Sequence, residues 1–259
     1  MNPQIGTLIF INNGLTSDYN ALQAQFQRRL AQGLQALGSY TWGHAIDYGS
    51  QDGAFPYTRG NSNFDVRQSI SAAFSYELPT QYQQPIARKF LNGWALDTRF
   101  AARTGFPVTL DGPRRINPAT LQSYNAGLDL VGAQPLYDYG QFPGGRRINP
   151  EAFALPAADQ VGSAPRNFVR GFGAWQMDLA IRREFPLHEA LKLQLRAEAF
   201  NIFNHPNFGT INSTHCAASD PLCTFGQATS TLAQSLGGLS PLYQLGGPRS
   251  VQFALRVVF

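Results

Sequence analysis

The end of the chain alternates between two environments. Val251, Phe253, Leu255, Val257 and Phe259 fall on one side; Ser250, Gln252, Ala254 and Arg256 fall on the other, with Val258 the one apolar intruder. A period of two predicts a β-strand with one face in an apolar medium and the other against something polar. Residues 173–186 repeat the pattern, with Trp175, Met177, Leu179 and Ile181 opposite Gln176, Asp178, Ala180 and Arg182. Residues 191–203 do so again, with Leu191, Leu193, Leu195, Ala197 and Ala199 opposite Lys192, Gln194, Arg196 and Glu198. Only a short turn at 185–190 separates those two strands.

The first half reads the same way. In 19–30, Leu22, Ala24 and Phe26 alternate with Gln23, Gln25 and Gln27; a tight turn at 31–33 follows. Residues 34–47 return with Leu34, Ala36, Gly38, Tyr40 and Trp42 on one face, predicting a hairpin. A helix over 21–37 would suit the Gln, Arg, Leu and Ala content, but Gly33 interrupts it and the alternation on both sides favours strands. In 64–78, Phe64, Val66, Ile70, Ala72, Phe74, Tyr76 and Leu78 oppose Asp65, Arg67, Ser69, Ser71, Ser75 and Glu77. After a polar, proline-bearing turn at 79–91, Trp94, Leu96, Thr98, Phe100 and Ala102 oppose Asp97, Arg99, Ala101 and Arg103. The apolar run 7–11 reads as the end of a further strand. Stretches 107–172 and 204–247 are rich in Pro, Gly, Asn and Asp with little periodicity, and connections of that length signal function or disorder.

Walked back from the carboxy terminus, the connections are long (204–247), short (186–190), long (107–172), medium (79–91), long (48–63) and short (31–33). Outer-membrane barrels have short periplasmic turns and longer outer loops, which predicts this rhythm. A soluble sandwich has no reason to keep it.

Composition sharpens the choice. Charged residues make up 14% and aromatics 12% of the chain, against ~25% charged in ordinary soluble domains. No run of about 18 apolar residues occurs, so no transmembrane helix is predicted. Low charge, many aromatics and a mean hydropathy of −0.22 fit an alternating barrel, and also a soluble β-sandwich. In hydrocarbon, strands survive only in a closed sheet that pairs every backbone polar group. Trp42, Tyr76, Trp94, Trp175, Phe203 and Phe259 sit near strand ends, where rings favour the headgroup level; the alternative is a sandwich core. The net charge of +4 is spread along the chain, which argues against nucleic-acid binding. Cys216 and Cys223 lie close together in one loop-like stretch. They read as a small disulfide in an oxidising compartment, or as two unpaired thiols. The start lacks a basic segment followed by an apolar one, which fits either a cytoplasmic protein or a piece of something longer.

Catalytic signals are missing. His44, His188, His205 and His215 are scattered, and neither Gly-x-Ser-x-Gly, His-Glu-x-x-His nor a P-loop occurs. We expect no enzyme, no metal site and no cofactor.

Several segments carry a resemblance. Arg166-Asn-Phe-Val-Arg-Gly-Phe-Gly173, Trp175-Gln-Met-Asp178 and Leu195-Arg-Ala-Glu-Ala-Phe-Asn-Ile-Phe-Asn-His-Pro-Asn-Phe-Gly209 resemble the end of TonB-dependent outer-membrane receptors, closest to the Oar-like barrels. Tyr19-Asn-Ala-Leu-Gln23, Gln27-Arg-Arg29, Ser39-Tyr-Thr-Trp42, His44, Phe64-Asp-Val-Arg67, Gly105-Phe-Pro107 and the closing residues 248–259 are similar to the same group. The resemblance implies an all-β, antiparallel transmembrane barrel of about 22 strands, filled by an amino-terminal plug and energised through TonB. This chain would supply about eight strands, its last third, as a single barrel region over 1–259 without plug. TonB would be reached only through amino-terminal regions that this chain lacks.

The other partners it implies are outer-membrane lipid, an unknown extracellular ligand and the barrel-insertion machinery. That machinery would read Val251, Phe253, Leu255, Val257 and Phe259 as an assembly signal. Loops 107–172 and 204–247 would face outside, the cysteines with them, and meet the ligand. Arg67, Asp97, Arg99, Asp178, Arg182, Arg196, Glu198 and Arg256 would face the lumen, with Glu77 and Arg103. They either line a substrate path or grip a plug, or they form a solvated, mutually paired wall. Asp97 with Arg99, and Arg196 with Glu198, have the i, i+2 spacing for pairing. The rival functions are a non-transporting surface or adhesion barrel and a soluble β-sandwich binding module.

Overall fold

The computed structural model describes residues 14–48, 58–79, 83, 84, 86, 90, 92–118, 121, 123–188, 191–217, 219–232 and 246–258. Its wall is one antiparallel sheet of seven long strands laid side by side in chain order: β1 (Asp18–Ala31), β2 (Leu34–Asp47), β3 (Gln68–Glu77), β4 (Trp94–Arg103), β5 (Ala174–His188), β6 (Leu191–Phe200) and β7 (Ser250–Val258). A short strand, Gly60–Asn61, pairs with the end of β2. The hairpin between β1 and β2 turns on Gln32 and Gly33, whose φ angles are 53° and 79°. Two successive positive-φ residues make the turn whose twist matches that of paired strands. Gly33 is needed for a second reason, since a Cβ there would lie 2.4 Å from the carbonyl oxygen of Glu77.

Register converts the alternation into two continuous faces. Leu34, Tyr76, Leu96, Ile181, Ala197 and Phe253 form one row across six strands; Ala36, Phe74, Thr98, Leu179, Ala199 and Val251 form the next. Among the described residues no second sheet covers this face, and Trp42, Ile70, Phe74, Tyr76, Leu195, Phe253 and Leu255 are exposed. A sandwich would interdigitate such residues with a partner sheet; a barrel presents them to lipid. No helix among the described residues is long and apolar enough to cross a membrane.

The boundaries differ from the sequence expectation in three places. β3 begins at Gln68 rather than 64, because the chain is still turning at Asp65, whose N–H donates to Ser62 O at 3.0 Å. Arg67 therefore sits in a bend before the strand, its carbonyl taking the N–H of Gly43. β6 stops at Phe200, since Asn201 has a φ of 48° and cannot continue a strand. β5 runs on to His188, so the turn to β6 is shorter than 185–190. The strand expected at 7–11 and the terminal Phe259 lie outside the described residues.

The largest difference lies in the long connections. Residues 107–172 carry short ladders: Pro107–Val108 with Val169–Arg170, Arg114–Ile116 with Ser123–Asn125, Asp129–Leu130 with Phe153–Ala154, and Tyr137–Tyr139 with Arg146–Ile148. Leu128, Ile148, Ala152, Phe153 and Val169 from this connection pack with Cys223 and Phe225 from the connection before β7. The two form a cap with its own core at one end of the sheet. The remainder of the expected loop 204–247, residues 233–245, lies outside the described residues.

Candidate functional site

The polar face of the wall is a paired network. Asp97 on β4 accepts Nε of Arg182 at 3.2 Å and a terminal nitrogen of Arg196 at 3.3 Å on the same oxygen, Oδ2. Its other oxygen accepts the Ser75 hydroxyl at 2.5 Å. Arg182 also reaches Glu77 at 3.1 Å, and Nε of Arg196 reaches Glu198 at 2.8 Å. Arg182 and Arg196 stand directly opposite each other in the register of β5 and β6. The carboxylates on either side hold these like charges together.

Arg196 thus pairs with Glu198 along its strand, but Asp97 does not pair with Arg99. Arg99 is exposed and makes no ion pair among the described residues. Asp97 instead takes Arg182, which lies diagonal to it across the β4–β5 ladder, and Arg196 from the strand beyond; diagonal neighbours remain within reach of long side chains. Arg256 is exposed opposite Gln194. Asp178 lies higher on β5 and accepts the backbone N–H of Asn201 at 2.9 Å and the Gln176 amide at 2.7 Å.

The segments that carried the family resemblance meet in pairs where the cap roots in the wall. Asp65 is fully buried and ion-paired with Arg170, which also donates to Asp65 O at 2.9 Å and Gly105 O at 3.2 Å. Four residues back, Arg166 pairs with Asp47 at 2.6 Å and donates to Asn63 at 3.1 Å. Between them, Asn167 donates to Asn61 O at 2.7 Å and to Asn63 Oδ1 at 2.6 Å. The connection after β4 is thereby bolted to the connection after β2. Asn207 clasps the backbone of Trp175, accepting its N–H at 2.8 Å and donating to its carbonyl at 3.0 Å. Asn201 donates to Gly247 O at 2.8 Å and His205 O at 3.0 Å, while the His205 ring stacks on Trp175 at 4.3 Å. These asparagines root the connection before β7. Sequence reasoning recognised the segments without their partners, because the contacts span up to 119 positions.

Within the cap, Cys216 and Cys223 form a disulfide with Cα atoms 5.6 Å apart. Phe225 is fully buried, edge-on to Phe153 at 6.1 Å and to His215 at 5.3 Å. A cavity of about 350 Å³ opens between cap and wall. Arg103 at the end of β4, Phe106, Val108 and Phe172 line one side; Phe208, Ile211 and Leu232 line the other. Both long connections contribute to its lining.

Among the described residues, no group of three or more His, Cys, Asp or Glu could hold a metal ion. The residues expected as an assembly signal, Val251, Phe253, Leu255 and Val257, project from the exposed apolar face of β7. The arrangement therefore offers a lipid-facing wall, a charged inner surface and an apolar cavity beneath a cap. A family model described as an outer membrane beta barrel domain matches residues 1–252. No curated protein and no solved structure matches the chain.

Proposed function

We propose that this chain, which belongs to the outer membrane beta barrel domain family, serves ligand uptake as part of a TonB-dependent receptor. Its place is the bacterial outer membrane. The uptake reading rests on one observation: the two longest connections fold together, at the same end of the wall, into a cap that overhangs a half-open cavity at the end of β4. With short turns on the periplasmic side, the rule for such barrels, the cap meets the external medium. A surface that only adheres needs no cavity. The inner face fits the same reading, because Asp97, Glu77 and Glu198 pair with Arg182 and Arg196 and leave a polar, wettable lumen wall. We propose no enzymatic activity.

The test is accumulation of a panel of labelled ligands too large for general porins, in cells carrying the full-length protein. A protonophore and a version with residues 107–172 replaced by a short Gly-Ser link serve as controls. We expect at least one ligand to accumulate, and both controls to abolish it. Surface retention of cells or matrix with no energised accumulation would favour the adhesion barrel instead.

A further inference from the structure

We propose that the cavity between cap and wall binds a compact apolar molecule bearing one anionic group, with Arg103 as its counter-ion. This deepens the uptake reading and rests on it in one respect, that the cap faces the medium.

Size comes first. At about 350 Å³ the cavity falls at the lower end of the roughly 300–1,000 Å³ typical of small-molecule sites. Its walls are aromatic and aliphatic: Phe106, Val108, Phe172, Phe208, Ile211 and Leu232. Two of the hydroxyls at its edge are already engaged. Thr109 donates to Asn167 at 2.7 Å, and Ser213 donates to Asp111. A sugar or another polyhydroxylated ligand would bury groups that find no partner, at a cost for each. An apolar body suits the lining better.

Arg103 supplies the charge preference. Its guanidinium lies over the Phe106 ring at 4.2 Å, and among the described residues its one hydrogen bond is a 3.3 Å contact to Thr104 O. Arg166, Arg170, Arg182 and Arg196 each meet a carboxylate; among the described residues Arg103 meets none. A guanidinium presents five donors in a planar fork, and most of this one's are uncommitted. A carboxylate entering the cavity can take two of them side by side, the strong arrangement for this pair. Arg103 is partly buried, and a cation withdrawn even partly from water gains from a counter-charge, which an entering anion supplies.

Saturation-transfer NMR on the full-length protein in detergent tests this, with phenylacetate and its neutral counterpart phenylethanol as probes. Micelle partition is set by the Ile211→Trp variant, which fills the cavity. We expect phenylacetate to bind saturably and about tenfold or more tighter than phenylethanol, the margin of a charge-assisted hydrogen-bonded pair. Arg103→Gln should erase that preference, Arg103→Lys should restore part of it, and Arg99→Gln, which removes an exposed charge elsewhere, should leave it intact. Unchanged heat-shifted gel mobility certifies that each variant is folded. Equal binding of the two probes in the wild type, a preference that survives Arg103→Gln, or signals unaffected by Ile211→Trp would each overturn the site. Carboxylate binding without energised uptake would overturn only the transport reading. Energised uptake with no carboxylate preference would overturn only the site.

Discussion

Wall and cap obey the same hydrophobic effect and end up with opposite surfaces. On β7, Phe253 is 81% exposed and Val251 58%; in the cap, Phe225 and Val169 are fully buried and Leu128 and Ile148 nearly so. Apolar side chains gain by leaving water, and the destination is immaterial. The cap is surrounded by water and has only itself to hide in, so it builds a core from two connections and a disulfide. The wall has lipid on its apolar side and needs no core, only a backbone fully paired within the sheet. Most of its charges are correspondingly turned to the other face, where Arg182 and Arg196 pair with Asp97, Glu77 and Glu198. The same few residue types therefore carry opposite meanings a short distance apart.

That inversion can be broken from either side. Phe225→Ala should cost the cap about 3–5 kcal/mol, the usual range for emptying an aromatic site in a packed core. Limited proteolysis in detergent should then cut within 107–172 and 204–232 while the strands stay protected; simultaneous loss of both would show that cap and wall are one cooperative unit. Phe253→Arg should cost the wall about 2–4 kcal/mol, the range for a cation on a lipid-facing strand near mid-bilayer. Its midpoint of denaturation in lipid should fall with no new cleavage in the cap. The same substitution in a water-facing strand would be nearly neutral. The smallest effect belongs to the inner face: Asp97→Asn should lower that midpoint by only about 1 kcal/mol, because the pairs it breaks are solvated. A large loss there would mean that the inner face is dry and its ion pairs are shielded from water.

The sequence disclosed the wall far better than the cap, for a physical reason. A strand in lipid must alternate along its whole length, so Leu22, Phe26, Tyr40, Trp42 and the residues of β4 to β7 announce their face at every second position. The cap is built from strands of two and three residues, too short to display a period. Its core residues Leu128, Ile148 and Phe225 look like isolated apolar residues in polar loops. The cavity was equally hidden, since Phe106 and Phe208 come together only through the fold. The asparagine and arginine clasps stood out only as the resemblance quoted above. Asn201 and Asn207 do the work of backbone in turns, and nothing in their spacing names the strand they hold. Asp65 misled the reading, because its place in an alternating run suggested a wall residue when it is the buried anchor of Arg170.

The two margins of the sheet hold one more consequence. Among the described residues β1 and β7 stand at opposite edges, and each runs from the cap end towards the end where the β1–β2 hairpin turns. Two strands running the same way cannot form the antiparallel ladder that every other pair in the wall makes. The sheet therefore cannot be zipped shut along its own borders by the rule that builds it, and joining copies of it in the same orientation only repeats the mismatch. An antiparallel seal needs an odd number of intervening strands, at least one of them rising from the hairpin end to the cap. The strand count of the finished cylinder is then even, a parity fixed by the direction of two edges.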